Sequence, residues 1–270
     1  MNQKLIDRNI RVATEFYRTY ECLKDSKKVR DFIGASYKQH NPYVSDDIDG
    51  FCRFVQFRHD NFPQGRNHIK MTIADEEKVL FHVHSILVPG QPGRNLVDTF
   101  KVEDGKIVEH WDAIENIEKT NFAPLNDWGL FNELGQAILC DIDKTEENKK
   151  IAFEFYNACF VEKNSAKVSK MVSDDYIEHN THILPGKKEF LRFVDFRRSE
   201  YPDGKNEIKV SVCQGNLIGL HVHEQLVPGE LGRNVVDMYR IEDGLIAEHW
   251  CVHMPIDKLI YPPLTDNGYW

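Results

Sequence analysis

Apolar residues recur every three or four positions near the start of the chain and again near its middle. In the first stretch they are Ile10, Ala13, Phe16, Tyr17 and Tyr20. In the second stretch they are Ile151, Phe155, Ala158 and Cys159. This spacing places the apolar side chains on one face of an α-helix. Two further helices are predicted near residues 27–34 and 50–61.

Beyond these helices the pattern changes to short runs typical of β-strands. Strands are predicted near residues 67–73, 79–88, 94–101 and 107–114. The tripeptide Glu103-Asp104-Gly105 between the last two predicts a hairpin. Because the helices precede the strands, the sequence predicts an α+β fold whose N-terminal helices pack on one face of an antiparallel sheet.

The whole pattern occurs twice. Matched motifs separated by 139 positions run through both halves: His40-Asn41 with His179-Asn180, His82-Val83-His84 with His221-Val222-His223, Asp98 with Asp237, and Glu109-His110-Trp111 with Glu248-His249-Trp250. A repeat this long indicates two complete domains. We assign residues 1–131 to copy one, 132–145 to a linker and 146–270 to copy two, with Thr145 as the N-cap of the first helix of copy two.

Side chains two residues apart on a strand point to the same face of a sheet. His82 and His84 therefore share a face, and so do His110 and Asp112. The hairpin decides where Asp98 lies, because a two-residue turn would place it opposite Trp111. A three-residue turn with a bulge would instead place it opposite His110.

We predict the bulge, because it gathers Asp98, His110 and Asp112 on one polar face. His82 and His84 are expected to join them on the concave side of the sheet. His40 is expected to close the rim from the helix side.

Charge and composition narrow the class of partner. The 270 residues carry 34 Lys and Arg against 43 Asp and Glu, a formal net charge of −9, which disfavours nucleic acid as a partner. The sequence has no apolar run long enough for a membrane span and no signal-peptide pattern near its start, so a cytoplasmic location is expected. The six cysteines show no CxxC spacing and do not recur between the copies, so no disulfide or zinc framework is predicted.

The motif His-x-His, then Asp-x-Phe/Tyr, then Glu-Asp-Gly-x-Ile-x-Glu-His-Trp-Asp resembles the SnoaL-like family of the nuclear-transport-factor-two-like superfamily. The resemblance spans His40 to Asp112 and His179 to Trp250. It implies two tandem cone-shaped domains, each with a curved sheet and helices enclosing a deep pocket. Characterised members include polyketide cyclases, which close rings by intramolecular aldol condensation without a metal or organic cofactor. The superfamily also contains non-catalytic binders.

In the family's cyclases the general acid/base is an aspartate on the last strand. The matching residue is Asp112 in copy one, whereas Cys251 stands there in copy two. We therefore predict Asp112, His110 and Asp98 as catalytic residues of a cyclase or isomerase that acts on a small apolar or carbonyl-containing ligand. Further pocket residues are expected to be His40, His82, His84, His179, His221, His223, Asp237, His249 and Cys251.

Two alternatives stay open at this point. One is a non-catalytic ligand-binding protein. The weaker one is a metal site built on the His-x-His pairs with His40 and Asp98, although no metal or cofactor is part of the main prediction.

Two further features concern the rim and the outside of each domain. Trp111 and Trp250 are expected on the outer face of the sheet, where the two domains would pair as an intrachain pseudo-twofold dimer. Arg94 and Arg233, each just before a strand, are expected to form salt bridges at the pocket rim, with a role in binding a substrate anion as the alternative.

Overall fold

The computed structural model describes residues 2–23, 25–117, 129–132, 137–180, 182–256 and 263–270. The chain forms two compact units. Unit 1 comprises Met1–Lys119 together with Lys258–Trp270, and unit 2 comprises Thr120–Asp257. Each unit is an α+β fold with one five-stranded sheet, as the sequence predicts.

In unit 1, helical segments lie both before and after the first strand. Helix α1 spans Gln3–Arg18 and continues as a π-helical turn over Thr19–Leu23. A 3₁₀ turn (Lys28–Phe32), strand β1 (Ile33–Gln39) and helix α2 (Ile48–Asn61) follow. Four strands complete the unit: β2 Arg66–Ala74, β3 Lys78–Ile86, β4 Arg94–Glu103 and β5 Lys106–Asn116.

Unit 2 repeats this order. A 3₁₀ turn (Ile142–Lys144) leads into helix α3 (Thr145–Tyr156) and a π-helical turn over Asn157–Val161. Next come the short helix α4 (Ser165–Val168), strand β6 (Val172–Glu178) and helix α5 (Lys187–Glu200). The remaining strands are β7 Lys205–Gln214, β8 Leu217–Gln225, β9 Arg233–Glu242 and β10 Leu245–Pro255.

The apolar stripe of α1 packs into the core of unit 1. Phe16 is buried, and its ring lies 5.5 Å from that of Phe51 on α2 and 5.4 Å from that of Phe100 on β4. Phe155 and Phe190 form the equivalent contact in unit 2, with ring centroids 5.9 Å apart. Burying a large aromatic side chain contributes on the order of 2 kcal/mol, so this cluster fixes the helices on the sheet.

Each sheet is mixed, which corrects the predicted antiparallel arrangement. The strand order is β1-β5-β4-β3-β2 in unit 1 and β6-β10-β9-β8-β7 in unit 2. The edge strands β1 and β6 pair with the last strands in parallel. Strand β1 is not predicted from the sequence, because the segment IGASYKQ shows no regular alternation of apolar and polar residues.

The β4–β5 hairpin differs from the predicted one. Glu103 pairs with Lys106, so the turn has two residues, Asp104 and Gly105, with positive φ angles of 49° and 75°. The register then shifts further along the strands, between Lys101 and Val102 on β4. Because one extra residue of β5 is inserted at this bulge, Asp98 pairs with Asp112 rather than with Trp111. The predicted pairing of Asp98 with His110 is therefore wrong.

The compact units do not coincide with the two sequence copies, because the tails are exchanged. In unit 1 the Nδ1 atom of His40 lies 3.2 Å from the carbonyl oxygen of Gly268, at the end of copy two. In unit 2 the Nδ1 atom of His179 lies 2.7 Å from the carbonyl oxygen of Gly129, the matching residue of copy one. The last residues of each copy therefore complete the unit that contains the other copy's sheet.

Part of the predicted linker also belongs to unit 2. Cys140 exchanges two hydrogen bonds with Asn216, which follows the β7–β8 turn residue Gly215. The hydroxyl of Thr145 donates to the carbonyl of Ile142 and accepts from the amide of Gly215. The predicted N-cap role of Thr145 is therefore wrong, because its side chain ties the start of α3 to the sheet instead.

Within the described part of the chain, no helix combines the length and the apolarity needed to cross a membrane.

The exchanged tail yields a testable expectation about unit 1. Truncation after Ile256 removes the hydrogen bonds that Thr265 and Asn267 donate to the carbonyl of Gln39. We expect faster amide hydrogen exchange in β1, measured by mass spectrometry, while exchange in β6 keeps its original rate. Faster exchange confined to β6 would contradict the assignment of the tail to unit 1.

Candidate functional site

A cavity of about 190 Å³ lies in unit 1 between the helices and the sheet. Its wall is largely apolar and includes Phe16, Phe51, Phe54, Leu96 and Phe100. Polar side chains also line it: Tyr17, Gln39, Asn41, Arg58, Asn67, Ser85, Arg94, Asp98, His110 and Asp112. An apolar cavity with a few convergent polar groups is the usual form of a small-molecule site.

One group of polar residues is organised around a buried imidazole. The Nε2 atom of His110 lies 2.9 Å from Oδ1 of Asp98, and its Nδ1 atom lies 2.9 Å from Oε1 of Gln39. The ring stacks on Phe100 at 4.9 Å between centroids. Tyr17, on α1, donates its hydroxyl hydrogen bond to the other oxygen of Asp98. The imidazole is therefore fixed in position and orientation.

Asp112 lies beside this group on β5, directly across from Asp98. Its Oδ2 atom accepts a hydrogen bond of 2.5 Å from the side-chain amide of Asn41. Burial raises the pKa of Asp112 from 3.8 to about 6; His110 and Asn41 oppose the shift, whereas the charge of Asp98 adds to it. A carboxylate with a pKa near 6 is ionised at neutral pH, yet it accepts a proton more readily than an ordinary aspartate does.

The pKa of His110 is raised, which favours the protonated form of its imidazole. Burial alone lowers the pKa of the imidazole, but the hydrogen bond to Asp98 and the charges of Asp98 and Asp112 outweigh this effect and raise it. The site therefore combines a proton acceptor, Asp112, with a positively polarised group, His110, on the same face of the sheet. This combination is suited to general acid/base chemistry.

Asp98, His110 and Asp112 are also the residues of this site that could hold a metal ion. One ligand atom from each lies within 4.8 Å of the others. A metal there would have to replace the hydrogen bond between His110 and Asp98. The His-x-His pair is not part of this grouping, so its predicted role as the core of a metal site finds no support in the geometry.

Unit 2 has the same imidazole in a different charge environment. His249 contacts Asp237 through Nε2 and Glu178 through Nδ1, each at 2.9 Å. Glu178 stands where unit 1 has Gln39, and the buried thiol of Cys251 stands where unit 1 has Asp112. The second carboxylate thus stands on the last strand in unit 1, at Asp112, and on the edge strand in unit 2, at Glu178.

The pKa of His249 reflects this rearrangement. Burial lowers it, but the charges of Glu178 and Asp237 and their hydrogen bonds to the ring raise it to about 10. His249 is therefore a permanent cation at neutral pH, held between two carboxylates. This arrangement leaves no carboxylate at the Cys251 position to act as a base.

The predicted placement of His82 and His84 in the pocket is wrong. His82 pairs with Val97 and His84 pairs with Asn95, whereas Asp98 pairs with Phe81. Because facing partners share one side of a sheet, both histidines lie on the side opposite Asp98. In unit 2 the same register places His221 and His223 on the side of the sheet that faces away from Asp237.

These histidines have structural partners. His84 and His223 each contact a carbonyl oxygen of the loop that joins the third and fourth strands, Pro92 at 2.7 Å and Leu231 at 2.8 Å. His82 lies 2.7 Å from the side-chain oxygen of Asn95. These contacts tie the loop and the neighbouring strand to the sheet, which explains why both copies carry the pair.

His40 also does not line the cavity of unit 1, and His179 is its counterpart in unit 2. His40 stacks on Trp111 with ring centroids 5.2 Å apart, and its Nε2 atom contacts Glu109 at 2.9 Å. His179 makes the same contacts with Trp250 and Glu248, at 4.6 Å and 2.8 Å. Both tryptophans lie on the outer face, as the strand alternation predicts, and the histidines hold the exchanged tails there.

Several pocket residues are not predicted from the sequence. Tyr17 belongs to the apolar stripe of α1, and its role in holding Asp98 cannot be distinguished from core packing by spacing alone. Gln39 lies on the unrecognised strand β1, and Asn41 follows it. The sequence signal for Asn41 is the His-Asn pair that recurs at 40–41 and 179–180, of which only the histidines are predicted as pocket residues.

Part of the chain is similar to a known protein family. Residues 150–253 match the family model described as SnoaL-like polyketide cyclase. This segment is similar to SnoaL-like domains. The resemblance predicted from the sequence is thus confirmed, and unit 1 repeats the topology of the SnoaL-like unit strand for strand. No curated protein sequence matches the chain.

Solved structures resemble about two fifths of the chain, which corresponds to one copy. A proposed ketosteroid isomerase from Kribbella flavida is 16% identical, with 43% of this chain and 84% of that chain covered and a TM-score of 0.37. A SnoaL-like polyketide cyclase from Agrobacterium tumefaciens is 12% identical, with 40% and 92% covered and a TM-score of 0.35. An NTF2-like protein from Mesorhizobium loti is 15% identical, with 42% and 95% covered and a TM-score of 0.36. Similarity at this level carries no argument about activity.

The two imidazoles provide a direct test of the charge environments. Replacing Glu178 by Gln gives His249 the neighbour that His110 has, so we expect the pKa of His249 to fall well below about 10. The reciprocal change, Gln39→Glu, should raise the pKa of His110. Nitrogen-15 NMR titration of the imidazole signals measures both; an unchanged His249 titration in Glu178→Gln would show that this carboxylate does not hold the proton.

Proposed function

We propose that the pocket of unit 1 catalyses cofactor-independent proton transfer next to a carbonyl group, as in an aldol-type cyclisation or an isomerisation. The observation that carries the proposal is Asp112, a buried carboxylate with a pKa of about 6 that lines an apolar cavity beside His110. The family match in unit 2 supports a small-molecule pocket of this class.

In the proposed reaction, Asp112 accepts the proton from the carbon next to a substrate carbonyl, and an enolate forms. The protonated imidazole of His110, oriented by Asp98 and Gln39, stabilises the negative charge on the enolate oxygen. In a cyclisation the enolate carbon bonds to a second carbonyl carbon of the same molecule, whose C=O π bond breaks to give an alkoxide. The alkoxide takes up the proton that Asp112 had removed, which restores the carboxylate. In an isomerisation Asp112 returns the proton to a different carbon.

Asp98 acts in this scheme as a positioning residue. It lies between the hydroxyl of Tyr17 and the Nε2 atom of His110, so it fixes the imidazole and favours its charged form. Asn41 has the corresponding role for Asp112, because its side-chain amide donates a hydrogen bond to one carboxylate oxygen and so orients the group.

Unit 2 does not share this proposed chemistry. A neutral thiol at Cys251 is a poor general base at neutral pH. Its Sγ atom lies 3.7 Å from Nδ1 of His253. The alternative function, ligand binding without turnover, therefore applies more readily to unit 2 than to unit 1.

The proposed base can be tested by exchange of carbon-bound protons. We expect the protein to accelerate deuterium incorporation next to the ketone of methyl 4-oxo-4-phenylbutanoate in D₂O, followed by proton NMR. Asp112→Asn should lower the rate at least about a hundredfold, the usual contribution of a general base. The rate in the active protein should rise with pH through about 6, as Asp112 ionises.

Cys251→Ser, at the matching position of unit 2, is the control and should leave the rate unchanged. Equal exchange rates in the original protein and in Asp112→Asn would contradict the role of Asp112. Binding of the ketone without any exchange would favour the non-catalytic alternative.

The substitution Asp112→Asn should increase the stability of the fold although it lowers the activity. The folded-state pKa of Asp112 is raised, so the carboxylate destabilises the folded chain once it ionises, over the window from about pH 4 to about pH 6 and fully above it. We expect Asp112→Asn to raise the free energy of unfolding at pH 7 by up to about 3 kcal/mol and to change it little at pH 4. Urea denaturation at both pH values measures this.

The matched control is Asp104→Asn, which removes a carboxylate from the exposed β4–β5 turn. It should change stability equally little at both pH values. A loss of stability in Asp112→Asn at pH 7 would show that the ionised carboxylate is favoured by its surroundings.

A further inference from the structure

The pocket of unit 1 contains a second polar region that the proposed proton transfer does not use. Arg94 and Ser85 face each other across strands β4 and β3, and both line the cavity together with Arg58 from α2. Arg94 and Asp98 lie four residues apart on the same face of β4, which separates their Cα atoms by about 13 Å. This region is therefore at some distance from the acid/base group but belongs to the same cavity.

The two arginines differ in how their charge is balanced. Arg58 contacts Oε1 of Glu21 and Oδ1 of Asn67, each at 2.8 Å. Glu21 does not line the cavity. No carboxylate pairs with the half-buried Arg94 among the residues that the structure describes, so the predicted rim salt bridge of Arg94 is absent there.

Ser85 supplies a second, independent observation. Its side chain is 1% exposed, yet its hydroxyl has no hydrogen-bond partner among the described residues. A buried hydroxyl without a partner is unfavourable unless a bound molecule or water satisfies it. Ser85 and Arg94 therefore place an unsatisfied hydroxyl and an unpaired guanidinium on facing strand positions. A hydrogen-bond acceptor with negative charge would satisfy both groups.

Unit 2 shows what such an acceptor looks like in the same framework. Glu224 replaces Ser85, and its carboxylate lies 2.7 Å from Nη1 of Arg197 and 3.1 Å from Nε of Arg233, the counterparts of Arg58 and Arg94. Arg233 thus forms the predicted salt bridge, whereas Arg94 does not. Each arginine pair has one protein carboxylate. Glu21 contacts Arg58 and does not line the cavity, whereas Glu224 contacts both Arg197 and Arg233.

We infer that the pocket of unit 1 binds a molecule that carries a carboxylate, held by Arg94 and Ser85 at the position that Glu224 fills in unit 2. This inference rests on the proposed function, because it names the substrate class of the same pocket. The substrate is then an oxo acid, with its carboxylate at the Arg94 end and its reacting carbonyl at the end formed by His110 and Asp112. Unit 2, which supplies its own carboxylate, should not accept such a molecule.

The test compares 4-oxo-4-phenylbutanoate with the neutral 4-oxo-4-phenylbutanamide, using isothermal titration calorimetry on the full chain. We expect the carboxylate to bind at least about tenfold more tightly than the amide, as a hydrogen bond to a charged group implies. Arg94→Gln should abolish this preference and leave amide binding unchanged. Ser85→Glu should also abolish it, because the introduced carboxylate would occupy the site. Arg94→Lys, which keeps the positive charge, should retain part of the preference.

Arg233→Gln is the matched control in unit 2 and should keep the full preference. The inference is overturned if the carboxylate shows no saturable binding, if both compounds bind equally well, or if the preference survives in Arg94→Gln. Repeating the titrations in Asp112→Asn separates the two proposals. A carboxylate preference that persists there, together with no loss of deuterium exchange in that variant, supports the anion site and refutes only the catalytic role of Asp112.

Discussion

A buried imidazole held between two hydrogen-bond acceptors is the interaction on which each half of this chain depends. It fixes the last strand relative to the edge strand, because His110 contacts Gln39 on β1 and His249 contacts Glu178 on β6. It also sets the electrostatics of each site. A buried charge is stable only with a partner, so the positions of the surrounding carboxylates decide whether the imidazole serves structure or chemistry.

The two units resolve this constraint differently with the same number of carboxylates. In unit 1 they are Asp98 and Asp112, and the second one faces the cavity, where burial raises its pKa to about 6. In unit 2 they are Asp237 and Glu178, and both hold the cation. The exchange of Asp112 for Cys251 is thus one half of a paired change, whose other half is the exchange of Gln39 for Glu178. The arginine region shows a similar displacement of a carboxylate, from Glu21 in unit 1 to Glu224 in unit 2. As a result, the pocket of unit 1 contains the carboxylate of Asp112, with its raised pKa, and the guanidinium of Arg94, which pairs with no carboxylate of the described residues.

The repeated histidines illustrate how duplication alone can mislead. Eight of them fall at matched positions, but His40, His82 and His84 and their counterparts bind tails, loops and strands rather than a ligand. Duplication preserves whatever the fold needs, and structural hydrogen bonds are as necessary to each copy as a pocket is. The differences between the copies were more informative about chemistry, because a change from a carboxylate to a thiol alters acid/base capacity without altering the fold.

The sequence by itself determined the tandem repeat, the α+β class, most helices and strands, and the cluster of Asp98, His110 and Asp112. These follow from periodicity and from the alternation of side chains along a strand, which are local properties of the chain. Tertiary structure alone decided the bulge that pairs Asp98 with Asp112, the parallel edge strands and the exchange of the two tails. It also decided which histidines face the cavity and which carboxylate neutralises which arginine. These features depend on strand register and on contacts between residues far apart in sequence, where a shift of one position moves a side chain to the opposite face.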